Sequence, residues 1–339
     1  MNPANAQLSF AYIPFGAKPD YDPNLAVGCD GLPPAKLCLS HWPGNTTPPD
    51  LNHDLSTGSA LAFARMGKEK RMQRFGPLET VANDHFDTDG LLAIFSCIHS
   101  EAALAREELL LASARAGDFW CFPSRRAAAL DMAVSAMSDP ERSAIGRELQ
   151  KLDANERTAR SFQYLLERFP RGIDDPWSLQ IEIDDELSKC ESDLYELRAG
   201  GAHIERFPEL DLTIVNTKKR FDSRAVIEIA ASDRILEMVD NGGGVFVNFQ
   251  LTTRSWFDAP SKRALPRPNL AKLADRLQQI EKFEGKWAPT PNDVPFASLA
   301  IEPPGNAGFR EQRTMNLATS TDSKTIQNTI ITFLREGGR

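Results

Sequence analysis

The sequence LETVANDHFDTDGLL, residues 78–92, decides the predicted fold. Its first part follows Gly76-Pro77 and has the length and apolar content expected of a short β-strand over residues 78–83. From Leu91 onward the apolar residues recur mostly at three- and four-residue steps, which predicts a helix over residues 91–116 that packs on a sheet. A strand that leads directly into such a helix is typical of an α/β fold.

The patterns in the rest of the chain predict its domain organisation. We predict an α/β protein with a Rossmann-like sheet and flanking helices, a helical connector, and a smaller α+β domain at the carboxyl terminus. The predicted divisions are residues 1–135, which carry the candidate metal site, the connector over 136–200, and the carboxyl-terminal domain over 201–339.

Local patterns place further elements. Two apolar runs on either side of Asp30-Gly31 and Pro33-Pro34 predict a short hairpin. Ser124 is a good capping residue for a helix over residues 125–137. Strands are predicted over residues 25–29, 36–40, 210–216, 224–230 and 245–252, and a closing helix over residues 323–335.

Composition limits the classes of function. The chain has 339 residues, with 39 Lys and Arg against 47 Asp and Glu, so no global charge attracts extended nucleic acid or anionic lipid. No apolar run approaches the roughly 18 residues of a membrane span, and the start, MNPANAQLSFAYIPF, lacks the basic and apolar regions of a signal peptide. The five scattered cysteines form no C-x-x-C pair. We therefore predict a cytoplasmic protein with no membrane contact.

The candidate metal ligands are His85, Asp87 and Asp89. They occupy alternate positions after the predicted strand, where an extended or turning backbone projects them in roughly one direction. The carboxyl end of a strand beside a helix N-terminus is the usual ligand crevice of an open α/β sheet. One imidazole and two carboxylates suit a divalent metal, with Mn²⁺ favoured and Mg²⁺ or Fe²⁺ as alternatives.

Two further residues are candidates for catalytic roles. Asp118 follows the helix predicted after Leu91 and can return to the crevice as a bridging carboxylate or general base. His41 ends another early strand, so neighbouring strands would bring it to the same edge of the sheet as a ligand or substrate contact. Each also has a structural alternative, a loop acid for Asp118 and a packed turn for His41-Trp42-Pro43.

The motif H-x-D-x-D-G at residues 85–90, after a strand and before a helix, resembles the first motif of the DHH phosphoesterase superfamily. The resemblance covers about 40 residues and carries over only to His85, Asp87 and Asp89. It implies hydrolysis of a phosphate ester or anhydride by a metal-activated water, with a small phosphorylated molecule or short nucleotide as the anionic substrate. The whole chain also resembles an uncharacterised bacterial family.

Two other functions remain open from the sequence. The first is a non-catalytic binding or assembly module, dimeric through the carboxyl-terminal half, in which the acidic residues only cap a helix. The second is a non-haem iron oxygenase, in which His85 and Asp87 would be joined by His203 in a two-His, one-carboxylate set. The long helix after the motif favours the α/β hydrolase over the oxygenase.

Overall fold

The computed structural model describes residues 8–179, 181–262, 264–282, 285–302 and 317–339. It confirms the α/β fold, with one parallel sheet, one mixed sheet and helices flanking both. Residue contacts divide the chain into two compact units. The first unit comprises residues 1–188 and 257–262, and the second comprises residues 189–256 and 263–339.

The sheet of the first unit has its four strands in the order β1-β4-β2-β3, and all pairings are parallel. The strands are β1 (Ser9–Tyr12), β2 (Ala26–Cys29), β3 (Leu37–Leu39) and β4 (Thr80–Asn83). The predicted hairpin of β2 and β3 is therefore wrong, since Val27 pairs with Leu37 in parallel register. β2 reads Ala-Val-Gly-Cys and is buried throughout, which is the pattern of a central parallel strand and not of a half-exposed hairpin.

The first unit also contains several helices, of which those over residues 56–65 and 88–98 pack directly on the sheet. Helix α6 (Arg125–Met137) has the predicted bounds, because the Ser124 side chain accepts from the Ala127 backbone N–H. The other helices are α1 (Ser56–Arg65), α2 (Gly67–Phe75), α3 (Thr88–Ile98), α4 (Ser100–Leu104), α5 (Glu107–Asp118), α7 (Gly146–Leu149) and α8 (Ala154–Gly172). Helix α9 (Asp184–Glu196) contains the division between the two units.

The single helix predicted over residues 91–116 is interrupted twice in the structure. The backbone leaves helical angles at His99 (φ −116°, ψ 51°) and again at Arg106 (φ −128°, ψ 20°). Ser100 donates its hydroxyl to the Ser96 carbonyl at 3.2 Å, a local bond that competes with regular helix pairing. The interruptions separate α3, α4 and α5, and Asp118 ends the last of them.

The second unit contains a mixed sheet with the strand order β5-β6-β7-β8-β10-β9, and β11 pairs with β8. Within this sheet, the β6–β7 pair is parallel, and the other pairings of the described residues are antiparallel. The strands are β5 (Ala202–Phe207), β6 (Leu212–Thr217), β7 (Arg234–Asp240), β8 (Val245–Leu251), β9 (Lys286–Pro289), β10 (Ser298–Glu302) and β11 (Ala318–Thr319).

One face of this sheet forms the core of the second unit. Alternate residues such as Ile214, Leu236 and Phe249 are buried against α11 (Leu270–Ile280) and α12 (Ser323–Arg335). The strand predicted over residues 224–230 is wrong, since α10 (Ser223–Ala230) occupies it. A short apolar run fits either element, and the Asp222 side chain decides for the helix by accepting the Arg224 N–H. Among the described residues, no helix has the length and apolar character needed to cross a membrane.

Candidate metal centre

Three neighbouring strands of the first unit end in residues that can bind a metal. Asp30 follows β2, His41 lies two residues after β3, and His85 lies two residues after β4. Because the strands are parallel, their carboxyl ends meet at one edge of the sheet. The fold thus brings together side chains that are up to 55 residues apart in sequence.

Asp30 is central to the arrangement. Its backbone has φ +56° and its side chain is fully buried, an unusual combination that Asp tolerates better than most residues. One carboxylate oxygen, Oδ1, accepts the Ser56 hydroxyl at 2.8 Å. The next residue, Gly31, also has a positive φ, and a Cβ there would lie 2.0 Å from Asp84 Oδ1. The Ser56 hydroxyl therefore orients the Asp30 carboxylate, and the turn that follows is closely packed against Asp84.

The first cluster consists of Asp30, His85 and Asp87. His85 Nε2 lies 2.8 Å from Asp30 Oδ2 and 2.8 Å from Asp87 Oδ2. The His85 and Asp87 side chains are 26% and 35% exposed, whereas that of Asp30 is fully buried. This cluster therefore has one side open to solvent.

The second cluster consists of Asp30, His41 and Asp89, and Asp118 lies beside it. His41 Nε2 lies 3.6 Å from Asp30 Oδ1, 3.5 Å from Asp89 Oδ2 and 2.9 Å from Asp118 Oδ2. All four side chains are buried. The two oxygens of the Asp30 carboxylate thus face different clusters, which makes Asp30 the residue that both share.

Both histidines are held from behind by an acceptor. His85 Nδ1 lies 2.9 Å from Asp84 Oδ1, and His41 Nδ1 lies 2.6 Å from the Asp54 carbonyl oxygen. An acceptor at one ring nitrogen fixes the tautomer and turns the other nitrogen toward a metal, as is usual for histidine ligands. Phe257 of the first unit stacks on the His41 ring at a centroid distance of 3.8 Å and fixes its plane.

Helix N-termini hold two of the carboxylates. Asp87 Oδ1 accepts the Gly90 N–H at 2.7 Å and caps α3. Asp89 accepts the backbone N–H groups of Ser56 and Thr57, at 2.7 and 2.8 Å, and so caps α1 from another segment. Each carboxylate therefore has a structural contact as well as a place in a cluster, and helix dipoles favour its anionic form.

Mutual interactions shift the pKa values of these groups strongly. Burial alone would lower the pKa of His41, but the carboxylates of Asp118 and Asp89 outweigh it and raise that pKa to about 10. Burial would raise the pKa of Asp30, but the charge of His85 outweighs it, and the pKa falls to about 2. Burial raises the pKa of Asp89 to about 6 and the pKa of Asp118 well above its usual range. Acidic groups are thus crowded in a region that excludes water.

The donor set fits a divalent cation. Counting Asp84, five carboxyl groups surround two imidazoles, so their negative charge exceeds what the histidines can neutralise. Asp30 Oδ2 and His41 Nε2 are buried, and neither makes a hydrogen bond of normal angle to any of the described residues. Buried polar atoms need a partner, and a cation can be the partner of both the carboxylate oxygen and the imidazole nitrogen. Carboxylate oxygens with imidazole nitrogens suit Mn²⁺ or Mg²⁺.

The structure brings five sequence-predicted residues together at this edge. His85 and Asp87 lie in the first cluster, His41 and Asp89 lie in the second, and Asp118 lies against His41. The three motif residues expected to form one set are thus divided between two clusters. His203 lies on β5 in the second unit, with its side chain 74% exposed and Nδ1 3.6 Å from Glu205 Oε1.

Sequence reasoning missed Asp30, the residue that the two clusters share. Its signal was an acidic residue directly after a short, fully apolar strand, the same arrangement that drew attention to the residues after β4. The neighbouring Gly31 and the two prolines that follow instead favoured a turn in a hairpin. Asp84 was also missed, although it precedes His85 directly.

Two comparisons with known proteins match most of the chain. Residues 8–338 match the family described as a family of unknown function, DUF6687. The search of curated proteins finds no match. Among solved structures, one described as the pGpG-specific phosphodiesterase PggH from Vibrio cholerae covers 92% of this chain and 84% of its own, at 11% identity and a TM-score of 0.36. A likeness of this size establishes neither a shared fold nor a shared activity.

Proposed function

This chain belongs to the DUF6687 family, and we propose that it is a metal-dependent phosphoesterase. One observation carries the proposal: two Asp/His clusters share the Asp30 carboxylate, and each histidine turns Nε2 toward it. Two cations bridged by one carboxylate are typical of enzymes that hydrolyse phosphate esters. The substrate would be a small phosphorylated molecule or a short nucleotide.

Each cluster would hold one ion. Asp30, His85 and Asp87 would bind the first, and Asp30, His41, Asp89 and Asp118 would bind the second. Divalent ions at these positions would supply an activated water and neutralise charge on the phosphoryl oxygens. The oxygen-rich set favours Mn²⁺, with Mg²⁺ and Fe²⁺ as alternatives.

The two clusters differ in their exposure to solvent, so we infer that they would differ in how they meet the substrate. His85 and Asp87 are partly exposed, so the first cluster is the one that a substrate can reach from solvent. His41 and Asp89 are fully buried, so an ion in the second cluster would be shielded from solvent. The phosphoryl group of the substrate would therefore approach from the side of His85.

The remaining roles belong to groups behind the ligands. Asp84 and the Asp54 carbonyl hold the histidine rings, and the N-terminus of α1 holds Asp89. Such contacts keep ligand atoms in place before a metal arrives and limit reorganisation during reaction. Asp118 Oδ2 lies 2.9 Å from His41 Nε2, so this carboxylate would bind the second ion beside that ring.

The test compares metal content and turnover in the same preparations. The full chain is purified without chelators, supplied with Mn²⁺ and desalted, and its metal is measured by elemental analysis. Release of product is then followed with a panel of phosphomonoesters, phosphodiesters and pyrophosphates. The variants are Asp30→Asn and, as a matched control, Asp20→Asn, because Asp20 is exposed and lies in neither cluster.

The proposal predicts bound Mn²⁺ and Mn²⁺-dependent hydrolysis in the wild type and in Asp20→Asn, and the loss of both in Asp30→Asn. If folded wild-type protein takes up no divalent metal, the proposal is wrong. Stoichiometric metal without hydrolysis of any phosphate ester would also reject it, and would favour a metal-stabilised binding module.

A further inference from the structure

A second polar site lies in the other unit, on the sheet face opposite its apolar core. The cavity measures about 240 Å³ and is floored by β7 and β8. Along β8, Val247, Phe249 and Leu251 belong to the core, so the alternate residues Phe246, Asn248 and Gln250 face the other way. Residues 220–223, which lead into α10, form part of its wall.

Two side-chain amides line this cavity without hydrogen bonds. Gln250 is only 6% exposed, and its side-chain amide makes no hydrogen bond to any of the described residues. Asn248, two positions earlier on β8, likewise makes no side-chain hydrogen bond within the described part of the chain. Each amide offers both a donor and an acceptor. Amides whose polar atoms line a cavity can pair with a ligand that has matching donors and acceptors.

The charges around the cavity argue against an anionic ligand. Lys189 and Arg220 contribute two positive groups, and Asp222 and Glu237 contribute two negative groups. These formal charges cancel, so the cavity has no excess of one sign to attract a phosphate or a carboxylate. A neutral molecule that forms several hydrogen bonds fits better.

The Phe246 ring in the cavity wall favours a flat ligand. Phe246 lies in the wall with its ring 5.6 Å from the Arg220 guanidinium carbon. A phenyl ring and a guanidinium plane both stack on flat heteroaromatic rings. Asn and Gln amides pair with the edges of such rings, as they do with adenine.

We propose that this cavity of the second unit binds a nucleobase, with Gln250 and Asn248 pairing with its edge and Phe246 stacking on its face. Its volume of about 240 Å³ lies below the usual range of sites for drug-sized ligands, so it suits one base and not a dinucleotide. The inference does not depend on phosphoesterase activity, because all of these residues lie in the second unit.

The test uses nucleosides, because they carry no phosphate that could bind to metal in the first unit. Adenosine, guanosine, cytidine and uridine are titrated into metal-free full-length protein, and binding is measured by calorimetry and by ligand-observed NMR. The variants are Gln250→Met and Asn248→Leu. The control is Gln279→Met, since Gln279 is exposed on α11 and lies away from the cavity lining.

The proposal predicts saturable binding of at least one nucleoside, unchanged in Gln279→Met and weakened at least about tenfold in Gln250→Met and Asn248→Leu. Thermal melting verifies that each variant is folded. Absence of binding by all four nucleosides would overturn the proposal, and so would equal binding by the wild type and by both cavity variants. Asp30→Asn is expected to leave nucleoside binding unchanged, so loss of hydrolysis does not decide this result.

Discussion

The metal centre and the nucleobase cavity both contain polar groups, but the groups of the two sites call for different kinds of partner. At the metal centre, five carboxyl groups surround two imidazoles, and Asp30 Oδ2 and His41 Nε2 lack hydrogen bonds of normal angle within the described chain. In the cavity, formal charges cancel, and the neutral amide of Gln250 lines the space without a hydrogen bond to any described residue. An excess of buried negative charge requires a cation, whereas a buried neutral amide requires only a hydrogen-bonding partner.

Removing the shared carboxylate is expected to have the largest effect. Asp30→Asn keeps the side-chain shape but removes the charge that both clusters share. We expect loss of both ions and a fall in hydrolysis of more than about 100-fold, since changes behind metal ligands already cost 10- to 100-fold. Asp87→Asn affects only the first cluster, so it should lower the metal content by one ion and leave the other bound. Equal metal loss in the two variants would contradict the shared role of Asp30.

Proton competition should change metal affinity strongly with pH. Carboxylates raise the pKa of His41 to about 10 and that of His85 well above its usual value, although burial opposes both shifts. The raised pKa values favour the protonated form of both rings in the metal-free protein, and a ligand histidine must be neutral. Metal binding then releases protons, and the affinity should rise with pH by about tenfold per unit for each proton released.

Protonation of His41 weakens metal binding, but it stabilises the metal-free protein. Because the pKa of His41 is raised from 6.5 to about 10, its contribution to stability is complete below pH 6.5 and is lost as the pH rises through 10.

Calorimetry of Mn²⁺ binding at pH 7 in buffers of different ionisation enthalpy measures the protons released when the metal binds. His99→Asn is the control, because His99 lies outside both clusters. Buffer-independent enthalpies would contradict protonated ligand histidines.

Gly31→Ala tests the packing behind the first cluster. Gly31 has φ +55°, and an added Cβ would lie 2.0 Å from Asp84 Oδ1, the acceptor that holds His85. We expect a loss of unfolding free energy of about 1–2 kcal/mol from backbone strain and crowding, and metal affinity lower by about 10- to 100-fold. Gly16→Ala is a matched control, since Gly16 has φ +77° and open space around it. It should lose stability without losing metal affinity, as measured by urea unfolding and Mn²⁺ titration.

Much of the fold could be predicted because the relevant signals are local. Ser124 and Asp322 cap α6 and α12, and both helices have the predicted bounds. The strand before the motif was also predictable, since Gly76-Pro77 marks its start. Residues 224–230 were not, because a short apolar run fits a strand as well as a helix, and the Asp222 cap was overlooked.

The metal centre could be predicted only in part, since its parts come together through strand pairing. The residues after β4 were found because they are close in sequence, and His41 because a strand end was recognised. Asp30 was missed because its role depends on β2 pairing in parallel with β3, which a seven-residue connection that begins with an Asp-Gly pair does not suggest. The division of His85 and Asp89 between clusters depends on backbone direction at Asp87 and on the capping of α1, which spacing alone does not specify.

The smallest expected effect concerns the amide in the cavity, and it has an unusual sign. Gln250→Met replaces an amide that makes no hydrogen bond within the described part of the chain with an apolar side chain of similar length, so we expect the ligand-free protein to be unchanged or more stable by up to about 1 kcal/mol. Gln278→Met is the contrast at an exposed position, because Gln278 donates to the Gly285 carbonyl at 3.2 Å and accepts from the Trp287 N–H at 3.0 Å. It should lose about 1 kcal/mol, since it gives up two existing hydrogen bonds. Urea unfolding of the metal-free protein measures both, and a saturating nucleoside should then stabilise the wild type but not Gln250→Met. If Gln250→Met instead destabilised the ligand-free protein as much as Gln278→Met does, its amide would already have a partner, and the cavity would have no unmet hydrogen bond to offer a base.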